Sequence, residues 1–337
     1  MFLNYKMMFL FTLMLGTMIS ISSNSWPAMW LGLELNLLSF IPIMINNKNI
    51  LTSEASLKYF LVQAMASSVL LFSIIISMML NESMTINFLK ISDISFIMLN
   101  LKLGSAPLHY WFPSVMEGLS WFNCFLLMTW QKIAPFLMVS YLNTSSLIFD
   151  VFIMTNIIIG SIGGINQLSL HKLMAFSSIS HIGWLLFSIK LNLSLWLIYF
   201  LIYSLISFSI VLIFHLTFSH YLIHLTLKLK LFYSMKLMLL INFLSLGGLP
   251  PFIGFLPKWL TIQFSSENYH IFLNFILIIF TLITLLFYIR ICLSSFLMNS
   301  FQIKWNSFSY PPSTLMIYIL TIFSSLGLLV YSLITFN

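Results

Sequence analysis

Between Leu191 and Leu227 no aspartate, glutamate, lysine or arginine interrupts the chain, and the same holds for Met7 to Leu33, Tyr59 to Asn81 and Trp305 to Asn337. Each stretch exceeds the roughly 20 apolar residues with which a helix crosses the hydrocarbon core of a bilayer. Only 6% of the 337 residues are charged and 60% are hydrophobic, whereas soluble domains carry roughly 25% charged residues. Water cannot be the solvent for most of this surface. The apolar runs lack the dyad alternation and frequent turns of an outer-membrane barrel. An all-α polytopic membrane protein is expected.

Reading charges and Pro, Gly and Asn clusters as breaks predicts about eleven transmembrane helices. They fall near residues 7–24, 27–45, 56–80, 94–112, 121–142, 148–167, 172–189, 194–217, 237–263, 271–294 and 314–335. With that count, the loops on the N-terminal side hold Lys6, Lys48, Lys172, Lys228, Lys230, Lys236 and Lys304, and the opposite loops only Lys90 and Lys190. The positive-inside rule then places the N-terminus on the cytoplasm-like side and the C-terminus on the other. The net charge of +7 comes from isolated residues, not from a basic stripe interleaved with aromatics, so nucleic acid is not an expected partner. Cys124 and Cys292 each lie in an apolar run without a C-x-x-C neighbour. Iron–sulfur, zinc and structural disulfide chemistry therefore lack ligands, and no cofactor or metal is expected on this chain.

Phe, Leu, Ile, Met, Asn, Ser, Tyr and Lys are abundant while Arg290 is the only arginine, a bias that follows AT-rich codons and points to a small organellar genome. The N-terminus is neither Arg-rich nor amphipathic, unlike a mitochondrial transit peptide, and Ser22-Ser23-Asn24-Ser25 is not a signal-peptidase site. It reads as a first membrane helix of a protein made inside the organelle.

Two spans carry breaker clusters: Leu103-Gly104-Ser105-Ala106-Pro107 in the fourth and Leu246-Gly247-Gly248-Leu249-Pro250-Pro251 in the ninth. Proline removes the donor for the carbonyl four residues earlier, so Pro107 frees Leu103, and Pro250 and Pro251 free Leu246 and Gly247. In hydrocarbon such carbonyls must be met by water or neighbouring protein. Both spans are expected to be broken helices lining a wet cavity. Lying five spans apart, they sit in halves of opposite membrane direction, the pattern of inverted transporter repeats. The expected repeats are residues 1–145 and 146–298, with a loop and C-terminal helix over 299–337. Gly160 to Gly164 is a G-x-x-x-G on an apolar helix and reads as close helix packing.

A charge at the bilayer centre costs at least about 2.5 kcal/mol, so a residue that keeps one there is a candidate for function. Glu34 lies inside the second span, Lys102 just before the first break, Lys132 in the middle of the fifth span, and Lys258 directly after the second break. Lys132 is flanked by Gln131 and by Pro135, whose missing N–H frees the Gln131 carbonyl. Lys102 and Lys258 could instead snorkel to a membrane face. One carboxylate and three amines near water-admitting breaks suit proton exchange, because desolvation and a nearby carboxylate act on a buried lysine in opposite directions. His181, among Ser177, Ser178 and Ser180, and His109, before Pro113, are secondary relay candidates, with plain packing as the alternative for each. Lys58 could pair with Glu54 at i,i+4 or act at a channel mouth, and Arg290 is expected to snorkel.

Five segments carry a resemblance. They are Ser25 to Asn36 (SWPAMWLGLELN), Glu54 to Phe60 (EASLKYF), Met128 to Pro135 (MTWQKIAP), Lys172 to Trp184 (KLMAFSSISHIGW) and Leu244 to Trp259 (LSLGGLPPFIGFLPKW). In order and spacing they resemble the subunit 2 family of mitochondrial NADH:ubiquinone oxidoreductase, respiratory complex I, in its arthropod form. The likeness runs nearly end to end. It implies an antiporter-like fold of the eleven-helix animal type. It also implies a membrane-arm subunit that works beside other antiporter-like subunits, with its N-terminus in the mitochondrial matrix and its C-terminus in the intermembrane space. In that family the second-helix carboxylate pairs with the lysine before the first break, and lysines of the fifth and ninth helices continue a mid-membrane polar axis. Those roles map onto Glu34, Lys102, Lys132 and Lys258. The resemblance further implies that FMN, iron–sulfur clusters and ubiquinone are handled by other subunits. A self-sufficient cation/proton antiporter and a structural spacer remain as alternatives at this point.

Overall fold

A computed structural model describes residues 2–46, 49–79, 91–142, 144–229, 233–267, 271–297 and 317–325, and all of their regular structure is helical apart from one isolated β-bridge. Lys48, Lys90, Lys230 and Lys304, used above for orientation, lie outside the described residues. Two compact units divide the chain, Met1–Ile159 and Gly160–Asn337.

In the first unit, α1 (Phe2–Ser22) and α2 (Trp26–Met44) pack side by side, and α3 (Ile50–Met79) packs against α2. Pro27 lies in the first turn of α2, where its missing N–H costs no helical bond. One face of α3 buries Ser56, Tyr59, Gln63 and Ser67, while Leu57, Phe60, Leu61 and Met65 point outward. An inner polar stripe with an apolar outer face is the reverse of a soluble helix and suits a lipid surround. The fourth expected span, 94–112, ends too early: it holds most of α4 (Ile91–Leu103) and the break, and the segment resumes as α5 (Trp111–Gly118), both helices packing on α3. Buried Asp93, in the first turn of α4, accepts the Ser145 N–H at 2.9 Å just before α8 (Ser146–Ile165). A carboxylate thereby serves two helix N-termini, where backbone N–H groups lack partners.

The fifth expected span, 121–142, does not run unbroken but divides into α6 (Trp121–Met128) and α7 (Trp130–Ser140) at Thr129. The Thr129 hydroxyl donates to the Phe125 carbonyl at 2.7 Å, and such back-bonding bends a helix. Pro135 withholds a further N–H one turn on, so the ladder is weakened on both sides of Lys132.

In the second unit, α9 (Leu170–Leu191) is the most buried of the long helices and packs against α10 (Leu193–Thr217). Gly160 of α8 faces α9 so closely that a Cβ there would stand 2.5 Å from the Ser180 nitrogen, as the G-x-x-x-G spacing led us to expect. The ninth expected span is again a pair, α12 (Tyr233–Gly247) and α13 (Phe255–Glu267), followed by α14 (Ile271–Leu297). The residues between the eighth and ninth spans, read as loop, contain a short helix, α11 (Leu222–Leu229). It is tethered by a bridge in which Leu170 N–H meets the His220 carbonyl at 2.9 Å and Leu222 N–H the Leu168 carbonyl at 3.1 Å. Lys236, counted above as a loop charge, is buried in the first turns of α12. Arg290 reaches the end of α8, donating to the Ile165 carbonyl at 2.9 Å, a cationic C-terminal cap.

Among the described residues eight helical segments are long and apolar enough to cross a membrane, α6 and α7 together forming one of them. Two further expected spans are the broken pairs, whose halves are too short singly. The last, 314–335, is helical over 317–325 and otherwise lies outside the described residues.

Candidate functional site

Both breaks use one backbone device. At the first, Gly104 adopts φ +74° and its N–H meets the Leu101 carbonyl at 3.0 Å, while Ser105 N–H meets the Asn100 carbonyl at 3.0 Å. At the second, Gly248 adopts φ +79°, its N–H meets the Ser245 carbonyl at 3.0 Å, and Leu249 N–H meets the Leu244 carbonyl at 3.3 Å. These are Schellman closures, which need a left-handed residue best supplied by glycine. The helices therefore stop at glycine, a few residues before the prolines to which the sequence reading attributed the breaks. Proline then prevents them from resuming.

Around the first break, backbone groups find protein partners. The Asn156 Oδ1 accepts the Ala106 N–H at 2.7 Å, and the Thr155 hydroxyl donates to the Ala106 carbonyl at 2.9 Å. Gln63 Nε2 donates to the Lys102 carbonyl at 3.3 Å and Trp111 Nε1 to the Leu101 carbonyl at 3.1 Å. With its backbone held, Lys102 turns its side chain into a cavity that Asn36, Tyr59, Gln63, Gln131 and Lys132 also line. The cavity has room for a water molecule. Lys132 is 2% exposed, so snorkelling is not how it is accommodated. Its Nζ stands 5.1 Å from the centre of the Phe112 ring, within cation–π range.

Glu34 is half-buried on α2, with Oε1 closed to solvent and not hydrogen-bonded to any described residue. It lies within electrostatic reach of Lys102 and of the Tyr59 hydroxyl. It does not itself line the cavity; its helix contributes Leu33, Asn36 and Leu37 instead. His109 is buried in the turn between α4 and α5, with Nδ1 3.3 Å from the Pro107 carbonyl and its ring stacked on Tyr110 at 4.5 Å. Lys58 and Glu54 are both exposed on the outer face of α3.

In the second unit, Lys258 is buried and folds back onto the break. Its Nζ donates to the Leu246 carbonyl at 3.1 Å and to the Gly247 carbonyl at 2.9 Å. These are the two carbonyls that Pro250 and Pro251 leave without donors. A second small cavity, lined by His181, Tyr199, Tyr203, Ser245, Leu246 and Pro257 among others, touches the same break. His181 Nδ1 is 3.0 Å from the Tyr199 hydroxyl. Cys124 and Cys292 are buried and not joined in a disulfide.

The structure thus brings Lys102, Lys132 and the Glu34 charge together, sets His109 in the first break, and places Lys258 and His181 about the second. Tyr59, Gln63, Asn36 and Asn156 were missed by the sequence reading. A signal for two of them existed: Ser56, Tyr59, Gln63 and Ser67 recur at helical spacing within a single span, a polar stripe that must face protein or water.

Buried amines on a polar cavity, and a glycine-closed break in each unit, define an antiporter-like membrane protein. Comparisons with known proteins agree. Residues 23–284 match the NADH:quinone oxidoreductase/Mrp antiporter transmembrane family. The chain is 50% identical over 334 residues to NADH-ubiquinone oxidoreductase chain 2 of Anopheles gambiae, covering 97% of this chain and 96% of that one. To the same-named chain of Aedes aegypti it is 49% identical over 337 residues, with 97% and 96% covered. In fold it is similar to a chain of respiratory complex I from Thermus thermophilus with bound aureothin, at TM-score 0.84 and 20% identity, over 96% of this chain and 78% of that one. The chain belongs to the NADH:quinone oxidoreductase/Mrp antiporter family and, within it, to the NADH-ubiquinone oxidoreductase chain 2 group.

Proposed function

We propose that this chain is a proton-translocating, antiporter-like subunit of the membrane arm of NADH:ubiquinone oxidoreductase in the mitochondrial inner membrane. Its N-terminus faces the matrix, its C-terminus the intermembrane space, and other antiporter-like subunits are its neighbours. The observation that carries the reading is the pair of buried amines, Lys102 and Lys132, on one water-sized cavity beside a broken helix. An ammonium and its neutral amine differ by one proton, and the cavity water supplies a partner for either form. Two ammonium charges on one cavity repel, whereas a carboxylate attracts an ammonium. A change in the field at Glu34 therefore redistributes a proton between the two amines. Lys258 and His181 extend the exchange in the second unit, and His109 serves the first break. Redox chemistry is assigned to other subunits, where NADH, FMN, iron–sulfur clusters and quinone would be bound, and quinone reduction there supplies the driving step.

The test uses the assembled complex in vesicles. Lys132→Ala and Glu34→Gln are expected to lower protons moved per NADH oxidised while native gels show normal assembly. Wild-type stoichiometry in both variants would leave only a spacer. The family description also includes antiporters, so a second reading is a self-sufficient cation/proton antiporter, and exchange by the chain reconstituted alone would favour it. The near full-length identity to NADH-ubiquinone oxidoreductase chain 2 supports the subunit reading.

A further inference from the structure

A broken helix contains a stretch of backbone that has left the helical ladder, and in hydrocarbon its polar groups must be met from elsewhere. At the second break that stretch runs from Gly248 to Gly254, and Pro250 and Pro251 bring no N–H to it. Phe252 N–H is met locally, by the Leu249 carbonyl at 3.0 Å. Ile253 N–H is met from outside the α12–α13 pair: it donates to the Ser324 carbonyl at 3.0 Å, in the helix over 317–325. The Ser324 side chain turns to the other limb of the break. Its hydroxyl shares one hydrogen between the Thr321 carbonyl, at 2.9 Å, and Oδ1 of Asn242 on α12, at 3.1 Å. Ser324 and Asn242 are both buried. One residue of the C-terminal helix thus touches the chain before the break and after it.

Packing seats the stretch on one side and leaves it loose on another. Gly254 runs so close to the Ser245 carbonyl of α12 that a Cβ would have no room. Toward α10 two small cavities remain, one touching Ile253 and the other Gly254, and Ile202 and Ile206 bound both. Apolar groups that face a void lose dispersion contacts there, so α10 presses weakly on Gly254. The bonds at Ser324 supply the missing restraint. They bear on Lys258, whose Nζ reaches from α13 back across the break to the Leu246 and Gly247 carbonyls of α12, at 3.1 and 2.9 Å. Any slip between the two halves lengthens those contacts.

The first break has a counterpart. There α8, also outside the broken pair, meets both backbone groups of Ala106, Asn156 on the N–H at 2.7 Å and Thr155 on the carbonyl at 2.9 Å. The sixth expected span therefore braces the fourth as the eleventh braces the ninth. From this we infer that the C-terminal helix is a clip on the second break and that Ser324 is a positioning residue for Lys258. The hydroxyl fixes the helix to α12, and the carbonyl so placed fixes Ile253 and with it the start of α13. The inference rests on the part in proton exchange proposed above for Lys258.

The experiment uses the assembled complex in vesicles with Ser324→Ala, Ser324→Thr and Asn242→Leu, reading protons translocated per NADH and amide hydrogen exchange at Ile253. Ser324→Ala and Asn242→Leu are expected to assemble and to lower translocation. At Ile253 they should exchange roughly three- to tenfold faster, the factor for one hydrogen bond between membrane helices. Ser324→Thr keeps the hydroxyl and should restore both values. Unchanged exchange in Ser324→Ala would overturn the clip. Faster exchange beside normal translocation would overturn the positioning role and leave a structural brace. Lys132→Ala keeps the two readings apart: wild-type stoichiometry there overturns the proton reading itself, whatever exchange at Ile253 shows. If neither Ser324→Ala nor Asn242→Leu assembles, wild-type exchange decides. Protection at Ile253 supports the clip, and exchange as fast as open backbone overturns it.

Discussion

The two broken helices share a backbone closure and differ in what they do with their lysine. In the first unit Lys102 precedes its glycine by two residues, and the carbonyls beside it are taken by Gln63 and Trp111. Its ammonium is left for the cavity and for Glu34. In the second unit Lys258 follows Gly248 by ten residues and is itself the donor to the exposed carbonyls. One lysine is thus released from backbone duty and the other performs it. A buried lysine can carry a proton with or without a second duty as a helix cap, and the position of the lysine relative to the glycine decides whether it has that duty.

The largest test of that contrast is removal of each amine. Lys258→Met strips donors from two buried carbonyls, and each unmet group costs several kcal/mol in hydrocarbon, so the assembled complex should fall steeply on native gels. Lys102→Met unpairs no carbonyl, and should lose proton translocation with assembly largely retained. Equal assembly of the two variants would erase the distinction. Next in size are the glycines. Alanine at either position meets the left-handed penalty of about 1–2 kcal/mol. At Gly104 its Cβ would also stand 2.9 Å from the Phe112 ring, whereas at Gly248 it meets the Lys258 side chain at 2.8 Å. A buried ring yields less than a lysine stem, so Gly104→Ala should lower the thermal stability of the complex more than Gly248→Ala. In the second variant the shift of Lys258 should instead appear as altered translocation. The smallest effect is expected from Gln63→Leu, which removes a long hydrogen bond, 3.3 Å, to the Lys102 carbonyl, a net loss of about 0.5–1.5 kcal/mol. A modest drop in stability with a larger drop in translocation would mark Gln63 as a cavity residue as well as a cap.

Much of this was readable from residue order. The apolar runs, the two breaker clusters and the interior charges at Glu34, Lys102, Lys132 and Lys258 all stand out because each departs from what hydrocarbon tolerates locally. The break at Thr129 did not stand out, since a single threonine in an apolar run has no distinctive chemistry until its hydroxyl turns back on the preceding turn. Asp93 was passed over for a similar reason: its partner, Ser145, lies 52 residues away. Tyr59 and Gln63 were detectable as a polar stripe, though not as neighbours of Lys132.

Residue order alone determined that the chain crosses a membrane, where its helices must stop, and which carbonyls the prolines would strand, because hydropathy, chirality and backbone valence act within a few residues. Only the tertiary structure decided which donors meet those carbonyls, which amine is left facing water, and which tyrosine holds the histidine. Those outcomes depend on side chains far apart in sequence competing for the same few polar positions in an interior that offers little else to bond.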